Sequence, residues 1–230
     1  MTELTILYRD DHYIAIDKPA GLLVHRTRIS DGTEFAMQQL RNQIGQWVYP
    51  LHRLDRPTSG VLLFALSSEA ARDLVAEFEA RRVEKSYLAI VRGYTEGQGH
   101  INYPLLEEEG KERQEAITDY RRLATVELPY GVGRYATARY SLLEITPLTG
   151  RMHQIRKHMK HIFHPIVGDT THGDGKQNQL FRDRLGIHKL LLMAKSLSFH
   201  HPYDGGKVTV EAALNGEWTA LFERLFFFDW

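Results

Sequence analysis

Cysteine is absent from the 230 residues. Disulfides, thiolate nucleophiles, iron–sulfur clusters and cysteine-based zinc sites are excluded with it. Net charge is absent too, with 29 basic and 29 acidic residues summing to +0, so no overall excess of positive charge speaks for a nucleic-acid partner. The apolar runs are short and interrupted by polar residues, so no segment spans a bilayer. The N-terminal MTELTILYRDDHYIAIDKP has no basic segment leading into an apolar stretch, which argues against a signal peptide. A soluble cytoplasmic protein with no membrane partner is therefore expected. Familiar catalytic templates are missing as well. There is no G-x-x-x-x-G-K-[ST] loop, no G-x-G-x-x-G after a strand and no G-x-S-x-G elbow. A glycosidase needs paired carboxylates at its site, and the motifs below offer one.

What is present suits a folded protein. Hydrophobic residues make up 43% and charged residues 25%, a balance that supports a core and argues against disorder. The length allows one large domain or two small ones. LTILYRDD and YIAIDKP alternate apolar and polar residues as half-buried strands do, with Asp10-Asp11 between them. Asp31-Gly-Thr-Glu34 has the spacing of a helix start, with Phe35, Leu40 and Ile44 toward a core. GVLLFALS reads as a buried strand. Ser67 or Ser68 then caps a helix to about Arg82, with Ala71, Leu74, Val75 and Phe78 on one face. KSYLAIVRG, ITDYRRLATVE, ARYSLLEITPL, LLLMAKSLSF and KVTVEAAL read as further strands. Trp218, Leu221, Phe222 and Leu225 mark a closing helix. The stretch around Gly97 to Gly99 and the acidic run after Pro104 read as loop insertions. Strands outnumber helices without alternating with them, which predicts an α+β domain on a mainly antiparallel sheet.

Three constellations could carry chemistry. In HRLDRPTSG, residues 52–60, the lone carboxylate Asp55 stands between Arg53 and Arg56 and before a sharp turn. A surface acid in ion pairs is the commoner use of such a residue. The flanking arginines, which would keep it ionised or contact phosphates, and the buried strand that follows favour a site on a rigidly held loop. In KSYLAIVRG, Lys85 and Tyr87 share a strand face. A tyrosine there is commonly just half-buried in a sheet, but it could stack on a base or move a proton. The third is GRMHQIRKHMKHIFHPIVGDTTHG. From Gly150 to Gly168 it has no acid, while Arg151, Arg156, Lys157 and Lys160 fall there with four histidines. Ile155, Met159 and Ile162 recur at helical spacing, leaving Arg151, Gln154, His158 and His161 for the opposite face. Metal ligation by His153, His158, His161 and His164 is disfavoured, because the spacing does not pair two ligands on one helical face and no glutamate stands nearby. Arg151 and Arg156 at a helix start could bind phosphate.

Together these segments resemble the RluA-type pseudouridine synthases. HRLDRPTSGVLLFA is similar to the family's motif around its catalytic aspartate, KSYLAIVRG to its second motif, and GRMHQIRKHMKHIFHPIVGDTTHG to its third; ILYRDDHYIAIDKPAGLLVH is similar to its entry segment. The resemblance runs from about residue 6 to 214, in the family's order. It implies a single catalytic domain over residues 1–230, an α+β pseudouridine synthase fold with flanking helices, an RNA-binding cleft across a mixed, mainly antiparallel sheet, and no S4-type module ahead of it. It implies isomerisation of a uridine to pseudouridine without metal, nucleotide or other cofactor, by a monomer. It gives Asp55 the catalytic role and makes Arg156 its ionic partner. By the same resemblance Tyr87 would stack on the uracil, Lys85, Ile155 and Leu192 would line the site, and Arg53 would fill the space left by the flipped base. Arg56, Arg151, Gln154 and Lys157 would hold RNA. YPLHRLDRPTSGVLL, RRLATVELP and HGDGKQN resemble the branch that acts on tRNA, which implies uridine 65 of certain tRNAs as the target. Met193-Ala194 and His172-Gly173 stand where family members often have His-Ala and Tyr-Gly, departures that bear on substrate detail and not on the reaction. Two other readings use the same segments: isomerisation of an rRNA uridine, and non-catalytic RNA binding or chaperoning, which would need no nucleophile. A zinc hydrolase ranks behind both.

Overall fold

The structure, a computed structural model, describes residues 3–25, 35–106, 110–214 and 216–225. It divides into two compact units, residues 1–85 with 193–212, and residues 86–192 with 213–230.

In the first unit, β1 (Thr5–Arg9) pairs antiparallel with β2 (Tyr13–Lys18), and β2 with β4 (Ser59–Ala65). Strand β3 (Tyr49–Pro50) adds to β4. The remainder of the sheet is β9 (Leu192–His200), whose hairpin partner is β10 (Lys207–Glu211). The contact of β4 with β9 is parallel and short, Ser59 opposite Met193 and Gly60 opposite Ala194. Gly60 makes it possible. Its φ is +105°, and a Cβ there would lie 2.1 Å from the Ala194 carbonyl oxygen. Every residue of β4 is buried, as its unbroken apolar run predicts. Helix α2 (Ser68–Glu79) starts where Ser67 Oγ accepts the Ala70 N–H, and it buries Ala70 and Leu74. It stops three residues short of the predicted Arg82, where Arg81 turns to φ +58°. Helix α1 (Ala36–Ile44) buries Ala36 and Leu40 and ends at left-handed Gly45. The predicted start signal at residues 31–34 lies outside the described residues.

In the second unit, the strands β5 (Glu84–Arg92), β6 (Gln98–Asn102), β7 (Ile117–Leu128) and β8 (Ala138–Pro147) pair antiparallel in the order β5-β8-β7-β6. Strand β6 corrects the reading of Gly97–Gly99 as a loop. QGHIN carries one buried residue, Ile101, so its own pattern is too weak to show, and it is the ladder to β7 that makes it a strand. Helix α3 (Gln154–His161) lies over β7 and β8, and α5 (Gly216–Leu225) buries Trp218, Leu221, Phe222 and Leu225 as its spacing predicts. A short helix α4 (Gly175–Leu180), continued by a π turn over Phe181–Leu185, was not anticipated. Asp174 caps it by accepting the Lys176 and Gln177 N–H groups. The described structure is thus α+β, with a mixed and mainly antiparallel set of strands. No described helix is long and apolar enough to cross a membrane.

Candidate active site

The site residues read from the sequence fall into two sets, one in each unit. The first is built around the loop before β4. Asp55 is half-buried there, and its carbonyl accepts the Thr58 N–H, closing a turn with Arg56 and Pro57 at its centre. A second segment is knitted to this turn. Gly21 N donates to Arg56 O at 2.8 Å, and Arg56 Nε donates to Gly21 O at 3.0 Å. Between the two segments lies Lys18, fully buried, its Nζ donating to the carbonyls of Pro19 (2.9 Å), Leu22 (2.8 Å) and Arg56 (3.3 Å). Burial pulls the Lys18 ammonium down to about 8, against the upward pull of Asp55 and then Asp17. The loop that carries Asp55 is therefore held by a buried cation, and the Asp55 charge favours that cation's protonated form.

Arg53 and Arg56 are both exposed. The guanidinium of Arg56 turns to Gly21, so its position in the chain beside Asp55 is not what it does in space. Lys18 was missed in the sequence, although strand parity puts it on the β2 face of Ile14 and Ile16, where a charged residue asks for a reason. The motif's first residue, His52, has a part of its own. Its Nε2 accepts the Leu63 N–H of β4 at 3.1 Å and its ring stacks on Phe78 of α2 at 5.5 Å. Burial, then the charge of Lys85, push His52 down to about 3, so the ring is neutral and keeps its lone pair on Leu63. Burial also lowers Lys85 below the usual lysine range.

The second set is in the other unit. Tyr87, Ile155 and Leu192 share one apolar cluster with Ala89, Val91 and Leu143, Tyr87 lying partly buried at its margin. Arg156 follows Ile155 on α3 and is buried. Its Nε donates to Asp169 Oδ2 at 2.7 Å and its Nη2 to Asp169 Oδ1 at 2.9 Å. Burial alone would raise the Asp169 carboxyl. The guanidinium and the N–H groups of His172 and Thr171 outweigh it and hold the group below the usual carboxylate range. Asp169 was also missed, although it is the first acid after the acid-free stretch.

The helix begins later than the sequence suggested. Arg151 precedes it in a turn, and His153 occupies the cap position with φ +57°. The expected polar face is in part an inner one. Gln154 is 4% exposed. Its Oε1 accepts from Thr149 Oγ1 (2.7 Å) and Arg151 N (2.9 Å), and its Nε2 donates to Ile117 O (2.8 Å) and Thr118 Oγ1 (3.0 Å). His158 is buried between Thr118 Oγ1 and the Tyr103 carbonyl. Arg151 Nε donates to Glu115 O and Lys157 Nζ to Leu106 O. The other three histidines have three different partners. His153 meets His172 at 2.9 Å, His161 stacks on Tyr103, and His164 Nδ1 reaches Arg92 O.

Comparison with known proteins gives the family. The family model described as RNA pseudouridylate synthase matches residues 12–161, a span that enters both units. Among curated proteins, the tRNA pseudouridine synthase C of Haemophilus ducreyi is 53% identical over 99% of this chain and 97% of its own. That of Vibrio parahaemolyticus is 50% identical over 99% and 96%. Among solved structures, human RNA pseudouridylate synthase domain containing 1 superposes with a TM-score of 0.72 at 28% identity, covering 92% of this chain and 83% of that one. Human RNA pseudouridylate synthase domain containing 4, at 24% identity, shares the fold with a TM-score of 0.73 over 96% of this chain and 93% of its own. The chain belongs to the RNA pseudouridylate synthase family, of the RluA type. It is an isomerase.

Proposed function

We propose that this enzyme converts uridine 65 of certain tRNAs to pseudouridine, with Asp55 as the catalytic carboxylate. The support for tRNA is the set of relatives named tRNA pseudouridine synthase C, matched at about half identity over nearly their full length. The observation that carries the role of Asp55 is its placement: a carboxylate on a loop fixed by a buried lysine, inside the motif the family shares around its catalytic aspartate.

In this reading the target base leaves the stack, at a cost of a few kcal/mol. The N1–C1′ bond breaks, the uracil turns, C5 bonds to C1′, and the C5 proton leaves as N1 takes one. The product is an isomer of the substrate, so no external oxidant, reductant or cofactor is consumed. Attack on C1′, addition at C6 and base-assisted formation of a glycal each use one carboxylate. Tyr87 supports the base with Ile155 and Leu192 behind it, and Arg156 is the ionic partner of Asp55. Lys85 lines the site and Arg53 occupies the place of the flipped base. Arg56, Arg151 and Lys157 contact the RNA backbone. The reading treats residues 1–230 as a single catalytic domain, active as a monomer in the cytoplasm.

Unmodified tRNA transcripts and large-subunit rRNA fragments, incubated with the pure protein without added metal, test it. Pseudouridine is mapped by carbodiimide treatment and primer extension. A stop at tRNA position 65 is expected. A stop in rRNA alone overturns the tRNA assignment. Asp55→Asn should keep RNA binding and lose turnover; a near wild-type rate in that variant removes Asp55 from the chemistry.

A further inference from the structure

Arg156 and Asp169 form a pair that is costly to bury. Two charges leave water for a position where apolar residues of similar volume would often serve stability as well. The pair also has an elaborate setting. The Asp169 carboxylate accepts Nε and Nη2 of Arg156 side by side, while the N–H groups of Thr171 and His172 donate to its Oδ1. Its main-chain carbonyl accepts Asn178 Nδ2 at 2.8 Å, and Asn178 Oδ1 accepts the Gly168 N–H at 2.8 Å. Gly173 packs so close that a Cβ there would lie 2.0 Å from the Asp169 carbonyl oxygen. The carboxylate can neither turn nor withdraw, and a bidentate carboxylate fixes the plane of the guanidinium as well as its place. The charged and titratable groups around it are Arg156 and His172, with His153 and Lys157 acting on His172 in turn.

We infer that Asp169 is a positioning residue for the isomerisation, setting the plane and rotamer in which Arg156 works. This rests on the proposed role of Arg156 at the site. Asp169 takes no part in bond making. It acts through the guanidinium, and the loop over residues 168–174 exists in this form to hold it.

The test compares Asp169→Asn, Asp169→Glu, Arg156→Met and the double variant Arg156→Met/Asp169→Asn on a full tRNA transcript. Rates are taken per folded enzyme, with thermal melts to count it. Misplacing a working group by about 1 Å costs on the order of 10²-fold in rate. Asp169→Asn should therefore lower kcat by that order and leave KM within about threefold. Asp169→Glu, which keeps the charge, should recover part of the rate. The double variant should be no slower than Arg156→Met alone, because both changes remove the same contribution. A structural role alone predicts lost folded protein with an unchanged kcat, or losses that multiply in the double variant; either overturns the inference. If Asp169→Asn does not fold, Asp169→Glu takes its place in the same cycle. Should Arg156→Met turn over at the wild-type rate, the proposed role of Arg156 falls and this inference with it. A slow Arg156→Met beside multiplying losses removes the inference alone.

Discussion

Replacing Gln154 by alanine separates two uses of one side chain. The family resemblance gives Gln154 to RNA, whereas its four hydrogen bonds tie the first residue of α3 to β7 and to the turn after β8. Truncation strips the Arg151 N–H of its partner, whereas the Ile117 carbonyl keeps the Leu148 N–H at 3.0 Å. Thr149 and Thr118 each keep another bond, to Ile117 N and to His158. The main losses are therefore one backbone N–H and the packing of the buried stem. An unsatisfied buried group costs about 1–3 kcal/mol, and a lost buried methylene about 0.8 kcal/mol. Side-chain entropy released on truncation offsets roughly 1.5–2 kcal/mol of this. A net loss of about 1 kcal/mol is expected, which in a chain of this size lowers Tm by about 2–4 °C. The assay is a thermal melt beside a filter-binding titration of the tRNA at constant salt. Folded variant should bind RNA as the parent does. An unchanged melt with RNA affinity reduced tenfold would refute the structural account and return Gln154 to the RNA.

Two further outcomes follow from the first unit. Gly60→Ala puts a Cβ against the Ala194 carbonyl at a backbone angle that side chains rarely adopt, so strain and overpacking together should cost on the order of 4 kcal/mol. Urea midpoints measure this, and an unmoved midpoint would show that β4 and β9 separate freely. Stability should also fall as the solution is acidified through the histidine range. His52 is pushed from 6.5 down to about 3 by burial and then by Lys85, so the unfolded chain takes up a proton there that the folded chain refuses. The stability tied to it is fully present above about pH 6.5 and is lost progressively toward pH 3. His158 and His172, lowered chiefly by burial, act in the same direction. His52→Gln, whose amide oxygen can still accept the Leu63 N–H, should flatten the slope of stability against pH between about 6.5 and 4. Equal slopes in the two proteins would place the effect elsewhere.

The extent to which the site could be read from the chain follows from where each interaction is recorded. Elements with a strong period stand where the pattern puts them: β4 through its unbroken apolar run, α5 through Trp218, Leu221, Phe222 and Leu225. Strand β6 stands only because β7 is beside it, and QGHIN carries no trace of that neighbour. The same division runs through the candidate site. HRLDRPTSG displays Asp55, since a carboxylate between arginines is conspicuous in one dimension. Yet the buried cation that braces its loop is Lys18, which reaches Arg56 across 38 positions. Arg156 was visible in the acid-free stretch; its carboxylate partner Asp169, 13 residues on, ends that stretch. Charge counting marked the basic run and passed over the acid that terminates it. Gln154 shows the reverse case. Helical spacing set it opposite Ile155 and Met159, on the face left to polar groups. A helix laid over a sheet can bury polar side chains too, provided that the strand beneath supplies their partners. Here β7 does so through Ile117 and Thr118. Side-chain type and period show which groups can act. Their partners, which decide whether a group acts on substrate or holds the scaffold, come from strands and loops far along the chain.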